Sequence, residues 1–229
     1  MRSTTPAVDL VVPVKTLDTA KSRLRGAADR GLGEPAAHAR LALALAHDTV
    51  TAVRAAGLVR QLLVISSDPV VAAELAAMGV EAMPESVASN GAGSKLNAAY
   101  ALGAGVLQQR DPGAVVGALP ADLPALRSAE LDAAIRAALA AFESGATRAF
   151  VPDAAGTGTT FLIAAPGTLL DPRFGGGSAE RHEVSGANRL TGNWPGLRRD
   201  VDTADDLRSA TELGLGPHTR CVLTPSSNC

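Results

Sequence analysis

A chain of 229 residues with a formal net charge of −2, 46% hydrophobic and 19% charged, can bury one sizeable core and has the balance of an ordinary globule rather than a disordered or membrane chain. Near-neutral charge and only 3% aromatic residues leave neither the electrostatic footprint nor the stacking platforms of a general nucleic-acid binder.

Short apolar runs alternate with Ala/Leu-rich stretches, and Pro and Gly mark the joints. DLVVPV, Asp9 to Val14, reads as a buried strand, and Glu34 to Ala56 as a helix with Pro35 in its first turn and Gly57 at its end. QLLVI, Gln61 to Ile65, is the second strand; SSDPVVAAELAAMG follows as a helix opened by Pro69 and stopped by Gly79. A short strand over Val80 to Met83 and a loop, PESVASNGAGSK, precede a helix from Lys95 to Gln109 whose apolar face includes Leu96, Tyr100, Val106 and Leu107. AVVGAL, Ala114 to Leu119, is the next strand; Ser128 is placed to cap a helix with Leu131, Ile135, Leu139 and Phe142 on one face. Strands that are apolar on both faces and separated by helices predict an α/β fold: a three-layer, doubly wound, mainly parallel sheet.

The rhythm changes in the last third. AFV and TTFLIAA read as strands, but RFGGGSAERHEVSGANRL, Arg173 to Leu190, is rich in Gly, Ser and charge and reads as a functional loop with one short helix. LRRDV returns to strand character, and Thr203 with Asp206 forms a capping box for a helix ending near Gly214. The expected organisation is one domain over residues 1–229, with its core at about 9–216 and a loose tail over 217–229. Cys221 and Cys229 in that tail suggest neither a disulfide framework nor a metal site. The N-terminal segment has no signal-type apolar core and no run approaches the roughly 18 apolar residues of a membrane span, so the expected location is cytoplasmic.

In an open parallel sheet ligands bind beyond the carboxyl ends of the strands, and Asp122, in GALPADLPAL, falls there between Pro120 and Pro124. A turn or cap aspartate is the plain alternative; a metal-binding carboxylate is the sharper one. A second carboxylate at a strand end is found in RRDVDTADDL, where Asp200 and Asp202 point the same way across Val201; Asp202, at the junction, is preferred. Asp205 and Asp206 are explained by the helix N-terminus. Two carboxylates without a His or Cys ligand set suit Mg²⁺. Lys15, Lys21, Arg23 and Arg25 follow the first strand, where cations would neutralise a polyphosphate, although ordinary surface charge accounts for them equally. There is no P-loop, and no G-x-G-x-x-G follows the first strand, which weakens a dinucleotide oxidoreductase.

VPVK at Val12, AKSRL at Ala20, LN at Leu96, DLPAL at Asp122, GTGTT at Gly156, RFG at Arg173 and WPGLRRDVDTADDL at Trp194 together resemble the phosphoenolpyruvate and 2-phospho-L-lactate guanylyltransferases of coenzyme F420 biosynthesis. The resemblance covers Leu10 to Gly216. It implies a nucleotide-diphospho-sugar-transferase-like, Rossmann-like fold, GTP as donor, Mg²⁺ as cofactor, and phosphoenolpyruvate, or alternatively 2-phospho-L-lactate, as acceptor. It further implies that Asp122 and Asp202 bind the metal, that Lys21 and Arg23 handle the triphosphate, and that Lys15 and Asn97 lie along the nucleotide. Thr159, Gly175 and Ser178 resemble the acceptor-binding set, in a loop that is glycine-richer here than the family pattern. The Gly-rich phosphate loop of the wider superfamily is replaced by VPVKTLDTAKSR, so side-chain cations carry more of that work. An unstable product suits direct hand-over to a downstream transferase, and an Ala-rich helix face is compatible with a homodimer. The reading from another class is a non-catalytic nucleotide-binding or assembly module, which would bind nucleotide without a metal and release no pyrophosphate.

Overall fold

Apolar positions and one buried acid, Asp9, whose carboxylate accepts from the Arg60 guanidinium, make Val8–Pro13 (β1) a strand buried along its whole length. The computed structural model describes residues 8–17, 24–29, 31–85 and 95–224. Pro35 opens the helix Pro35–Arg54 (α1); Ala42, Ala46, Val50 and Val53 pack on the sheet, while Leu41 and Leu45 pack with Ala125, Val201 and Leu207 beside it. Then come Val59–Ile65 (β2), Pro69–Ala77 (α2), Glu81–Met83 (β3), Lys95–Arg110 (α3), Val115–Ala118 (β4) and Ser128–Glu143 (α4). Asp68 caps α2 by accepting from the Val70 and Val71 amides, and its other oxygen takes the Leu17 amide at 2.9 Å, tying the segment after β1 to this helix. Burial alone would raise the Asp68 carboxyl, but these three amides outweigh it and leave it lowered. The last third adds Arg148–Pro152 (β5), Thr159–Ala164 (β6), Ser178–Val184 (α5), Asn188–Arg189 (β7), Pro195–Arg198 (α6), Ala204–Leu213 (α7) and Pro217–Leu223 (α8).

The strands form one seven-stranded sheet in the order β3-β2-β1-β4-β6-β5-β7. All pairings are parallel except those of β6, which runs antiparallel to β4 and to β5. The expectation of a mainly parallel α/β sandwich therefore holds, with one reversed strand inside it. α1, α2 and α4 cover one face, and α3 and α5 the other. α3 lies close against β1 because Gly103 faces Val11: a β-carbon at 103 would stand 2.5 Å from a Val11 methyl.

Four local expectations change. LRRDV is no strand: the short helix α6, begun by Pro195, runs into its first two residues, and residues 199–201 are irregular. Ser128 is the first residue of α4 rather than its cap; Arg127 holds the cap position with no side-chain bond. Residues 217–223, expected to be loose, form α8, because the buried Asp48 of α1 accepts the His218 and Thr219 amides at 3.0 and 2.8 Å. Cys221, on α8, is disulfide-bonded, a pairing not expected from its surroundings, and Cys229 lies outside the described residues. The Thr203–Asp206 capping box stands as expected, and α7 ends at Gly214.

Candidate active site

The chain passes from β1 to β2 on one side and places β4 on the other, so the strand order switches between β1 and β4. A cavity of about 400 Å³ opens there. Lys15 enters from the end of β1 and Asp122 from the end of β4. Because β6 runs in reverse, its first residue, Thr159, reaches the same rim.

The acidic wall is held through its main chain. Leu123 N–H donates to the Thr49 hydroxyl of α1 at 2.9 Å, and Gly216 N–H donates to the Pro124 carbonyl at 2.8 Å. Val201 N–H donates to the Asp122 carbonyl at 3.0 Å, which brings two acidic segments distant in the chain side by side. Val201 is fully buried while its neighbours Asp200 and Asp202 both line the cavity, so the alternation expected of a strand is reproduced by a pinned, irregular segment. Behind it, Asp206 Oδ2 accepts from the Asp202 amide at 3.2 Å and from the Thr203 amide at 2.9 Å. Glu130 of α4 holds the preceding turn by accepting the Leu197 amide at 2.9 Å, and burial raises its carboxyl above the ordinary value. A β-carbon on Gly196 would collide with the Ala125 carbonyl, so α6 fits against the DLPAL segment only with glycine there.

The opposite wall is the RFGGGS loop, and side chains from other elements hold it. Asn97 of α3 grips both main-chain groups of Phe174: Oδ1 accepts its amide at 2.8 Å and Nδ2 donates to its carbonyl at 3.1 Å. The Phe174 ring stacks on Tyr100 with centroids 4.1 Å apart. Arg181 donates to the carbonyls of Gly176 and, at 2.9 Å, Arg173. His182, on α5, accepts the Arg173 amide on Nε2 and meets the Thr159 hydroxyl through Nδ1, each at 2.9 Å. Gly175 has φ +117°, a conformation that L side chains rarely adopt, so this turn requires glycine. Ser178, fully buried as the first residue of α5, completes the wall.

Of the residues singled out in the sequence, Lys15, Asp122, Asp202, Thr159, Gly175 and Ser178 line this one cavity, and Asp200 joins them. Asn97 is not among the lining residues; its amide is engaged by Phe174, behind the wall. Lys21 and Arg23 lie outside the described residues. Tyr100, read from the sequence only as an apolar-face residue, Thr157, read only as part of GTGTT, and Asp153 also line the cavity. Burial raises the Tyr100 hydroxyl well above its ordinary value, and the nearby Asp122 carboxylate adds to the effect. Asp153 is recognisable only once the 153–158 turn is seen to close, with the Thr157 amide donating to its Oδ1 at 2.9 Å. Among the described residues no group of three or more His, Cys, Asp or Glu is arranged to hold a metal by itself. No helix among them is long and apolar enough to cross a membrane.

No protein-family model matches the chain. It is 50% identical over 217 residues to a phosphoenolpyruvate guanylyltransferase of Geodermatophilus obscurus, covering 95% of this chain and 94% of that protein. It is 51% identical over 211 residues to proteins of the same name from Salinispora arenicola, at 92% and 90% coverage, and Streptomyces scabiei, at 92% and 93%. The chain belongs to the phosphoenolpyruvate guanylyltransferase family. Solved structures give the same fold. A nucleotidyl transferase of Methanothermobacter superposes with a TM-score of 0.58 at 16% identity, covering 91% of this chain and 98% of the other. A 4-diphosphocytidyl-2C-methyl-D-erythritol synthase superposes with 0.58 at 13% identity, covering 92% and 99%. In this phosphoenolpyruvate guanylyltransferase relative the switch-point cavity is thus built on a nucleotidyltransferase scaffold.

Proposed function

We propose that the cavity transfers GMP from GTP to phosphoenolpyruvate, releasing pyrophosphate, with 2-phospho-L-lactate as the near alternative acceptor in the same coenzyme F420 route. The observation that carries the reading is the Val201–Asp122 main-chain bond, which sets Asp122 beside Asp200 and Asp202 on a cavity that also presents Thr159, Gly175 and Ser178. Family membership supports the donor and acceptor classes.

The lining supplies carboxylate oxygens and no His or Cys among its described residues, a donor set that fits a hard cation keeping several waters and taking substrate phosphate oxygens. Asp122 and Asp202 would hold Mg²⁺, with Asp200 the alternative second ligand. What that ion supplies when bound is neutralisation of phosphate charge and stabilisation of the departing pyrophosphate. The chain's residues do the positioning. Lys15 offers a cation to the polyphosphate, and Lys21 and Arg23 would extend that role. The hydroxyls of Thr159 and Ser178 and the Gly175 amide donate to the anionic acceptor. Its phosphate oxygen forms a bond to the α-phosphorus as the bond to the bridging oxygen breaks, and pyrophosphate carries away the charge. That oxygen is already ionised at neutral pH, so no general base is required.

The test is pyrophosphate release in the presence of Mg²⁺ from each nucleotide with each acceptor. Turnover with GTP and phosphoenolpyruvate supports the reading. Turnover only with 2-phospho-L-lactate, or with CTP and another acceptor, replaces it. Nucleotide binding that survives chelation and releases no pyrophosphate would make the protein a binding module.

A further inference from the structure

His182 lies outside the cavity lining and is fully buried, yet it touches two parts of the acceptor wall at once. Its Nε2 stands 2.9 Å from the Arg173 amide. A backbone N–H can only donate, so Nε2 is an acceptor and carries no proton. A neutral imidazole has one N–H, which then sits on Nδ1 and points at Thr159 Oγ1, 2.9 Å away. The ring is neutral at working pH, because burial, reinforced by the charge of Arg181, pushes it down to about 4.

A threonine hydroxyl has one hydrogen and two lone pairs. With one lone pair occupied by Nδ1–H, Thr159 cannot turn its hydrogen toward the ring. That hydrogen is left for the cavity, which Thr159 lines at the start of β6. The opposite tautomer would draw the hydrogen onto Nδ1 and present a lone pair to an incoming anion, a repulsive arrangement. We propose that His182 is a positioning residue that sets the polarity of the Thr159 hydroxyl, making it a donor to the anionic acceptor, while its other nitrogen anchors the Arg173–Gly175 turn. The proposal rests on the acceptor reading above and adds what orients one of its donors. Phe150 and Phe174 flank the ring, with centroids 5.7 and 5.3 Å away, so an aromatic replacement keeps the packing while removing both bonds.

The experiment combines a spectrum with a double-mutant cycle. In the unmodified protein, a long-range ¹H–¹⁵N correlation of the histidine rings should find the His182 proton on Nδ1. Thr159→Val should raise the KM for phosphoenolpyruvate about 10- to 100-fold while leaving that for GTP within about twofold, the loss expected of one hydrogen bond to a charged group. His182→Phe should raise the acceptor KM at least comparably, and the double variant should fall clearly short of the product of the two single losses, because the Nδ1–Thr159 bond is lost in both and only the Arg173 anchor is lost in addition. His182→Asn, whose amide N–H can replace Nδ1–H, should recover part of the loss. A proton on Nε2, additive losses in the double variant, or equal damage to the GTP KM would overturn the inference and leave the acceptor reading standing. An unchanged acceptor KM in Thr159→Val would overturn the acceptor reading itself, and the role of His182 in it, whatever the tautomer.

Discussion

The two walls of the cavity are held by different means. The acidic wall joins the end of β4 to an irregular segment fastened to it and is pinned largely through main-chain groups: Val201 to Asp122, Gly216 to Pro124, and Leu123 to the Thr49 hydroxyl. The glycine-rich wall has one long-range main-chain tie, Ala179 N–H to the Thr157 carbonyl at 3.0 Å, and Asn97, Arg181 and His182 grip the rest of it with their side chains. A strand end arrives already oriented by the sheet. A glycine-rich turn must be ordered by groups from elsewhere, since glycine has the most conformational freedom to lose. Damage to the first wall should therefore appear in turnover, and damage to the second in acceptor affinity.

The sharpest break of that comparison is Asp122→Asn. It removes a charge at the rim without altering the Asp122 carbonyl that Val201 uses. Turnover should fall by on the order of a thousandfold or more, with the thermal midpoint little changed. Full pyrophosphate release in this variant would take Asp122 out of the chemistry.

Acid should loosen the second wall before the first. The charged groups acting on His182 are Arg181, Asp171, Arg148 and Arg173, and the Asp171 carboxyl is itself held below its ordinary value, against the effect of burial, by its bonds to Arg173 and Arg148. Between the folded value of about 4 and the ordinary 6.5 the unfolded chain takes up a proton that the folded ring refuses. Stability is complete above about pH 6.5 and is lost as pH falls toward 4, by at most about 3 kcal/mol. Urea titrations over this range should show the decline in the native protein and a shallower one in His182→Phe. Parallel slopes would mean that the ring is not held neutral.

A matched pair then tests the walls directly. Thr49→Val leaves the buried Leu123 amide without its acceptor, and Asn97→Leu does the same to both main-chain groups of Phe174. Each should cost about 1–3 kcal/mol of stability. Thr49→Val should lower kcat, whereas Asn97→Leu should raise the phosphoenolpyruvate KM about tenfold and spare kcat. The same kinetic pattern in both would erase the distinction.

What is legible in the sequence follows the same division. Pro35, Pro69 and Gly79 mark helix ends by local backbone chemistry, and Thr203 with Asp206 does so by a bond spanning three residues, so these elements stand where pattern puts them. α8 opens on Pro217 in the same way, but the carboxylate that satisfies its first turn, Asp48, belongs to α1, so the local pattern alone reads as a loose tail. The strand reading of LRRDV weighed its apolar and charged residues and neglected Pro195 just before them. Asp122 announces itself as a lone charge between prolines, whereas Tyr100 looks like any apolar-face residue, and His182, amid the charges of SAERHEV, looks solvated. Side chains that act on another element's backbone leave no periodic trace.

Tyr100 offers the smallest and most discriminating test, because it touches both walls: its ring stacks on Phe174 while the Asp122 charge reaches its hydroxyl. That hydroxyl is fully buried and has no hydrogen-bond partner among the described residues. A buried hydroxyl left so costs free energy unless a ligand uses it. Tyr100→Phe keeps the ring and the stack, so the substrate-free protein should be as stable or more stable, by up to about 1 kcal/mol, or a few degrees in thermal midpoint. Substrate binding should weaken by less than about tenfold, and whether the KM of GTP or of phosphoenolpyruvate rises assigns the hydroxyl to one wall. A less stable Tyr100→Phe protein with unchanged kinetics would mean that the hydroxyl serves the fold, and the two walls would then share no polar group at their meeting point.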